Sequence, residues 1–207
     1  CNLECRYCFG EVADDFDADF NDIDVEYSLP KKISYDVDML AKFCSQDADC
    51  VLTFYGGEPL LCIDEIKRTM NSVKARLFML QTNGLLLDRL EADYVNRFHT
   101  ILVSLDGDEA LTDYYRGRGT FRKVVNNLKS VVRNGFRGDL IARMTAMEQT
   151  DIYKQVKWLV ENEEFPFSSV HWQLNAGFWG NDFAKRNFER WTDDSYNPGI
   201  RKLAEFW

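Results

Sequence analysis

A chain of 207 residues, 45% hydrophobic and 14% aromatic, is long enough for one substantial core or two small ones and too apolar for disorder. A formal charge of −9 argues against a general nucleic-acid binder, which needs a basic face to neutralise phosphates, so no nucleic-acid partner is expected. No apolar run approaches the roughly 20 residues of a membrane span, and no membrane partner is expected either.

The elements begin with CNLECRYCF, three cysteines spaced C-x3-C-x2-C at Cys1, Cys5 and Cys8. Six cysteines are too sparse for a disulfide scaffold and, clustered this way, read as metal ligands in a reducing, cytoplasmic compartment. Thiolates bind zinc or iron–sulfur clusters. A closed zinc site needs a fourth ligand, for which Cys44, Cys50, Cys62 and His99 are the candidates. Cys44 falls on an apolar helical stripe and Cys50 abuts a strand, where cysteine is more often a small hydrophobe. The cysteines alone leave a three-thiolate cluster and a zinc-stabilised binding module both open.

Gly10 to Pro30 carries eight acidic residues and no Lys or Arg. Asp15, Asp17, Asp19 and Glu26 take calcium-loop positions, but Phe20 stands where that loop requires glycine, so a solvated acidic insertion is the preferred reading. Next comes an amphipathic helix with Val37, Leu40, Phe43 and Cys44 on one face, capped by Ser34. From there five short apolar runs alternate with helical patterns. The runs start at Val51, Arg76, Thr100, Asp139 and Ser169, and each lacks strict alternation, as strands covered on both faces do. The intervening stripes are Ile63, Ile66, Met70 and Val73; Leu87, Leu90, Tyr94 and Phe98; then Val124, Leu128, Val131 and Val132, capped by Thr120 and ended by Gly135. The last is Ile152, Val156, Leu159 and Val160, from Asp151 to the Glu164-Phe165-Pro166 stop. The aromatic tail from about 178 to 207 allows a sixth helix.

Strand–helix units in this order predict an α/β fold with a parallel sheet, too few strands for an eight-stranded barrel, and a ligand site at the strands' carboxyl ends. The punctuation supports that rim: YGGEP follows the first strand, QTNG the second and SLDG the third. In YGGEP, Gly56 and Gly57 permit a backbone path closed to side chains, Glu58 offers a carboxylate to a cation, and Pro59 fixes the turn.

C-x3-C-x2-C with Tyr7 before its last cysteine, then YGGEP, QTNG (Gln81 to Gly84) and SLDG (Ser104 to Gly107), resembles the radical S-adenosylmethionine superfamily. Within it, the pattern is most similar to the peptide-modifying branch that includes anaerobic sulfatase maturases and carries a C-terminal cluster-binding extension. The resemblance runs from Cys1 to about Asn175. It implies a partial (β/α)6-type barrel in one core domain over 1–207. That domain would be a fragment: the barrel's first strand, which precedes the cysteine loop in this family, and the C-terminal extension are both missing.

For the site, the resemblance implies a [4Fe–4S] cluster on Cys1, Cys5 and Cys8, with the fourth iron left for S-adenosylmethionine. Gly56, Gly57 and Glu58 would meet the methionine ammonium, Ser104 the ribose or carboxylate, and Arg143 the carboxylate. The backbone near Tyr7 and the side chain of Leu174 would border the adenine. The implied activity is reductive cleavage of S-adenosylmethionine to a 5′-deoxyadenosyl radical that abstracts hydrogen from a peptide or protein side chain. A small-molecule or cofactor-precursor substrate is the alternative. An electron donor such as flavodoxin or ferredoxin would be needed.

The SLDGDEALTDYYRGRGTF segment departs from the family's SLDGP and following His-Asp pair. Asp108 replaces the proline and Thr112 precedes Asp113, while Arg116 and Phe121 keep the later pattern. The residues themselves read Asp106-Gly107 as a turn, Arg116 and Arg118 as an exposed basic loop able to hold a carboxylate, and His171 as a core residue or cavity lining.

Overall fold

The computed structural model describes residues 1–8, 34–175 and 187–207. The acidic insertion and its calcium reading lie outside the described residues, as does the start of the tail.

Five strands, β1 (Val51–Phe54), β2 (Leu77–Thr82), β3 (Phe98–Ser104), β4 (Asp139–Ala146) and β5 (Ser169–Leu174), form one parallel sheet in chain order. The α/β prediction holds, as do the five strands. Helix α1 (Val37–Cys44) precedes β1, and the long crossovers that parallel neighbours need are made by α2 (Ile63–Ser72), α3 (Ala92–Val95), α4 (Glu109–Arg116), α5 (Thr120–Arg133) and α6 (Ile152–Val160). Right-handed crossovers that always step to the next strand put their helices on one side of the sheet.

That arrangement corrects the expectation of strands buried on both faces. Burial alternates along β2 and β4. Leu80, Ile101, Val103, Ala142, Met144 and Ala146 are sealed under the helices, together with Val124, Leu128 and Leu159. The opposite face, with Gln81, Leu102, Ser104, Ile141, Arg143 and Thr145, is half-buried. One face is core and the other is free to line a site.

Other differences are local. Asp36, not Ser34, caps α1, accepting from the Asp38 amide at 2.9 Å, and Phe43 is 72% exposed. The predicted Leu87–Phe98 helix breaks into a 3-10 turn (Leu87–Arg89) and the one-turn α3, with Phe98 opening β3. Gly119, in a left-handed conformation, caps α5 in place of Thr120. Gly135 ends α5 as predicted: at φ 90° it lets Phe136 N donate to Val131 O and Gly135 N to Val132 O, a Schellman closure. α6 stops at Val160, before Pro166.

The tail is helical, α7 (Phe188–Trp191) running through a π-type turn into α8 (Asn197–Phe206). It builds a second core in which Trp191 and Leu203 meet Met144, Ala146, Ile152 and Val156. The Trp191 indole donates to Thr150 O at 3.0 Å.

Candidate active site

The loops at the strands' carboxyl ends converge as the punctuation predicted. After β1, Gly56 takes φ 147°, a conformation that side chains disfavour. At Gly57 an added Cβ would stand 3.1 Å from the Cys1 nitrogen and 3.3 Å from its Cβ. The double glycine therefore lets the cysteine loop lie against the backbone.

Glu58 is 6% exposed and its carboxylate is held inside the protein. Oε1 accepts from Leu60 N at 3.0 Å and from the Thr82 hydroxyl at 2.7 Å, and Oε2 accepts from Asn83 N at 2.7 Å. Glu58 thus joins the loop after β1 to the loop after β2. Asn83 continues the chain of contacts: its amide donates to Asn2 Oδ1 at 2.7 Å and lies 3.9 Å from Cys1 Sγ.

The other half of the cysteine loop is held by the segment after β3. Asp106 is fully buried and accepts four hydrogen bonds. Arg116 Nε and Nη2 reach Oδ2 and Oδ1 at 2.8 and 2.9 Å, the Tyr7 hydroxyl reaches Oδ2 at 2.7 Å, and Thr145 N reaches Oδ1 at 3.0 Å. Arg6 N donates to Tyr115 O at 2.9 Å, while its guanidinium lies 4.1 Å from the centre of the Tyr114 ring. A turn closes from Cys8 N to Cys5 O at 2.8 Å. Burial pushes the Cys5 thiol up, and the nearby Arg116 cation opposes that shift. Burial also raises the Tyr7 phenol well above its ordinary value, with Arg116 opposing and Asp106 adding to the rise.

This network corrects the reading of Arg116 as an exposed basic residue: it is 6% exposed and paired bidentately, while Arg118 is exposed. The Asp106-Gly107 turn is present, but Asp106 is also its anchor. Asp108, the departure from proline, caps α4 by accepting from Leu111 N at 3.1 Å. Asp113 accepts from Gly119 N and Phe121 N at 2.7 and 2.8 Å, fixing the turn into α5.

Ser104, Arg143 and His171 are register partners across β3, β4 and β5 and form one row, half-buried at Ser104 and Arg143 but exposed at His171, which corrects the reading of His171 as a core residue. Arg143 donates through Nη2 to Gln173 Oε1, while Nη1 is buried without a partner among the described residues. Burial lowers the Arg143 pKa. A buried guanidinium nitrogen with an unmet donor is a fit for an anionic group such as a carboxylate. Burial, and secondly Arg143, lowers the His171 pKa. Leu174 ends β5 with 39% of its surface exposed. The Tyr7 side chain turns into Asp106.

The cysteines outside the loop separate from it. Cys44 is buried with Val37 and Val73, and Cys50 packs against that cluster before β1 begins. His99 stands near the start of β3. All three are at the amino end of the sheet, opposite the rim that holds Cys1. Cys62 ends the 3-10 turn after Glu58. The sequence motifs located the rim and contain Thr82, Asn83 and Arg116, but not their pairing with Glu58 and Asp106, nor the Thr145 amide that completes it. The signal for Arg116 is its spacing from Asp106 across one helix, α4, which carries no predicted stripe.

Three free thiols thus stand at the carboxyl rim of a five-stranded parallel sheet. Residues 1–155 match the model of the Radical SAM superfamily, and the chain belongs to that superfamily. Membership brings its cofactors, S-adenosylmethionine and a [4Fe–4S] cluster, and the thiol set and the unpaired Arg143 nitrogen fit them.

Among sequence relatives, an uncharacterized protein of Methanothermobacter thermautotrophicus is 30% identical over 154 residues, 70% of this chain and 54% of its own length. A probable GTP 3′,8-cyclase of Methanocella arvoryzae is 30% identical over 141 residues, 65% of this chain and 41% of its own. The chain thus spans about half the length of these relatives. Among solved structures, native anSMEcpe with bound AdoMet and Cp18Cys peptide gives a TM-score of 0.70 at 20% identity, covering all of this chain and 56% of that one. Streptococcus suis SuiB bound to precursor peptide SuiA gives 0.59 at 16% identity, covering 99% and 44%. These likenesses bear on the fold, a partial barrel of this type. No helix among the described residues is long and apolar enough to cross a membrane.

Proposed function

We propose that this chain is the core of an enzyme that cleaves S-adenosylmethionine reductively and uses the product to abstract hydrogen from a peptide or protein side chain. The observation that carries the reading is Arg143 Nη1, buried without a partner among the described residues, on a strand whose Thr145 amide shares Asp106 with Tyr7 of the cysteine loop. When bound, the cluster on Cys1, Cys5 and Cys8 supplies the electron that generates the 5′-deoxyadenosyl radical.

The residues do the rest. Arg143 takes the methionine carboxylate, and Ser104, its neighbour in the row, takes the ribose or carboxylate. Gly56 and Gly57 offer main-chain groups to the ammonium. Glu58, already holding three donors, has one acceptor position left on Oε2 for it. Leu174 and the backbone at Tyr7 border the adenine. Hydrogen abstraction needs close contact rather than acid–base chemistry, so orientation by a fixed rim is the protein's main contribution. The reaction needs an electron donor such as flavodoxin or ferredoxin.

The peptide substrate is supported by the fold shared with SuiB, solved with precursor peptide SuiA, and with anSMEcpe, solved with a peptide. A second reading, a small-molecule substrate, is favoured by the 30% identity to the probable GTP 3′,8-cyclase. The test is anaerobic reconstitution of the intact natural protein with iron and sulfide, followed by dithionite and S-adenosylmethionine. The expected product is 5′-deoxyadenosine, abolished in Cys5→Ala. An intact cluster that yields none contradicts the proposal. Deuterium transfer into 5′-deoxyadenosine from labelled peptides, against labelled nucleotides, then decides the substrate class.

A further inference from the structure

Asp106 uses all four acceptor positions of a carboxylate, so it has none left for a substrate or cofactor. Its partners lie on the cysteine loop, on α4 and on β4. Tyr7 sits between Cys5 and Cys8. Thr145 is two residues from Arg143 on the same strand, and therefore on the same face. Leu105 N, one residue before, donates to Arg143 O itself at 3.1 Å.

On the functional reading above, a cosubstrate must reach from the cluster to Arg143. We infer that Asp106 is a positioning residue which sets that span, binding the cysteine loop through Tyr7 to the Arg143 strand through Thr145. Arg116 is its bidentate counter-ion and braces it from α4. The Arg116 guanidinium also stands 5.4 Å from the centre of the Tyr7 ring, so the loop is held by its hydroxyl and its face together. A shared anchor of this kind keeps two halves of a site in register, where a displacement of about 1 Å costs on the order of 100-fold in rate.

Position and charge can be separated by two substitutions. Tyr7→Phe removes one hydrogen bond and no charge. Asp106→Asn keeps the shape but leaves the Arg116 cation uncompensated near Cys5. In metal-free protein, Tyr7→Phe is expected to speed hydrogen exchange at the Arg6 and Cys8 amides, whose acceptors are Tyr115 O and Cys5 O. In reconstituted protein it is expected to weaken S-adenosylmethionine binding about tenfold, the loss of one charge-assisted hydrogen bond, with the reduction potential unchanged. Asp106→Asn is expected to raise the potential as well, because a bare cation favours the reduced cluster. Wild-type exchange and wild-type affinity in Tyr7→Phe would overturn the inference even if Asp106→Asn fails to fold. If instead the wild-type cluster itself shows no response to S-adenosylmethionine, it is the functional reading that fails.

Discussion

Two buried carboxylates hold the same rim in different ways. Glu58 is surrounded by neutral donors, two backbone amides and the Thr82 hydroxyl, and ties one loop to the next. Asp106 is paired with a buried guanidinium and reaches a loop, a helix and a strand. The difference lies in what remains when each is removed. Without Glu58 the orphaned groups are buried but uncharged donors, each costing the ordinary penalty of an unmet hydrogen bond. Without Asp106 a cation is stranded in the interior. The first junction is local and tolerant; the second is where the cysteine loop depends on the rest of the fold.

The largest effect is therefore expected from Asp106→Ala, about 3–5 kcal/mol of stability by urea unfolding, since it strands the buried Arg116 charge. A loss below that expected for Glu58 would remove the distinction between the two sites. Glu58→Gln turns one amide nitrogen toward groups that are themselves donors, and should cost about 1–3 kcal/mol in the same measurement. Gly57→Ala should cost less than about 1 kcal/mol, because the Cβ displaces Cys1 by only a few tenths of an ångström. Its expected consequence is on iron content after reconstitution, which should drop while the melting temperature barely moves.

The smallest effect concerns the half-buried face. The His171 pKa is lowered, so the unfolded chain takes up its proton first and stability declines as pH falls below the ordinary value of 6.5. With Arg143→Gln the His171 titration followed by NMR should move up part of the way, because burial, the larger cause, persists. No movement would mean that the two side chains of that row do not sense each other.

The rim was legible in sequence because its loops carry residues with little freedom of substitution: Gly57 where Cys1 packs, Gly84 where a Cβ would meet Val103 and Val124 at 3.0 Å. The strands were legible as apolar runs, and four helices as stripes. What the residues did not reveal were long-range pairings. Arg116 in YYRGRG looks like a solvated charge until α4 folds and carries it to Asp106. The break between Leu87 and Phe98 was hidden because a 3-10 turn, a single helical turn and a strand start together mimic the helical period. Thr145 contributes only a backbone amide, which any residue other than proline would supply. The alternation of burial was masked by apolar residues such as Leu102 and Ile141 on the half-buried face.

The most direct test of the account is electron paramagnetic resonance of the reduced, reconstituted natural protein with and without S-adenosylmethionine. If Cys1, Cys5 and Cys8 hold a cluster facing Arg143, the cosubstrate should change the g-values of the reduced cluster, and Arg143→Gln should raise the concentration needed by at least about tenfold. A reduced cluster whose spectrum is unchanged by saturating S-adenosylmethionine, or purified protein that binds zinc and forms no cluster, would contradict it.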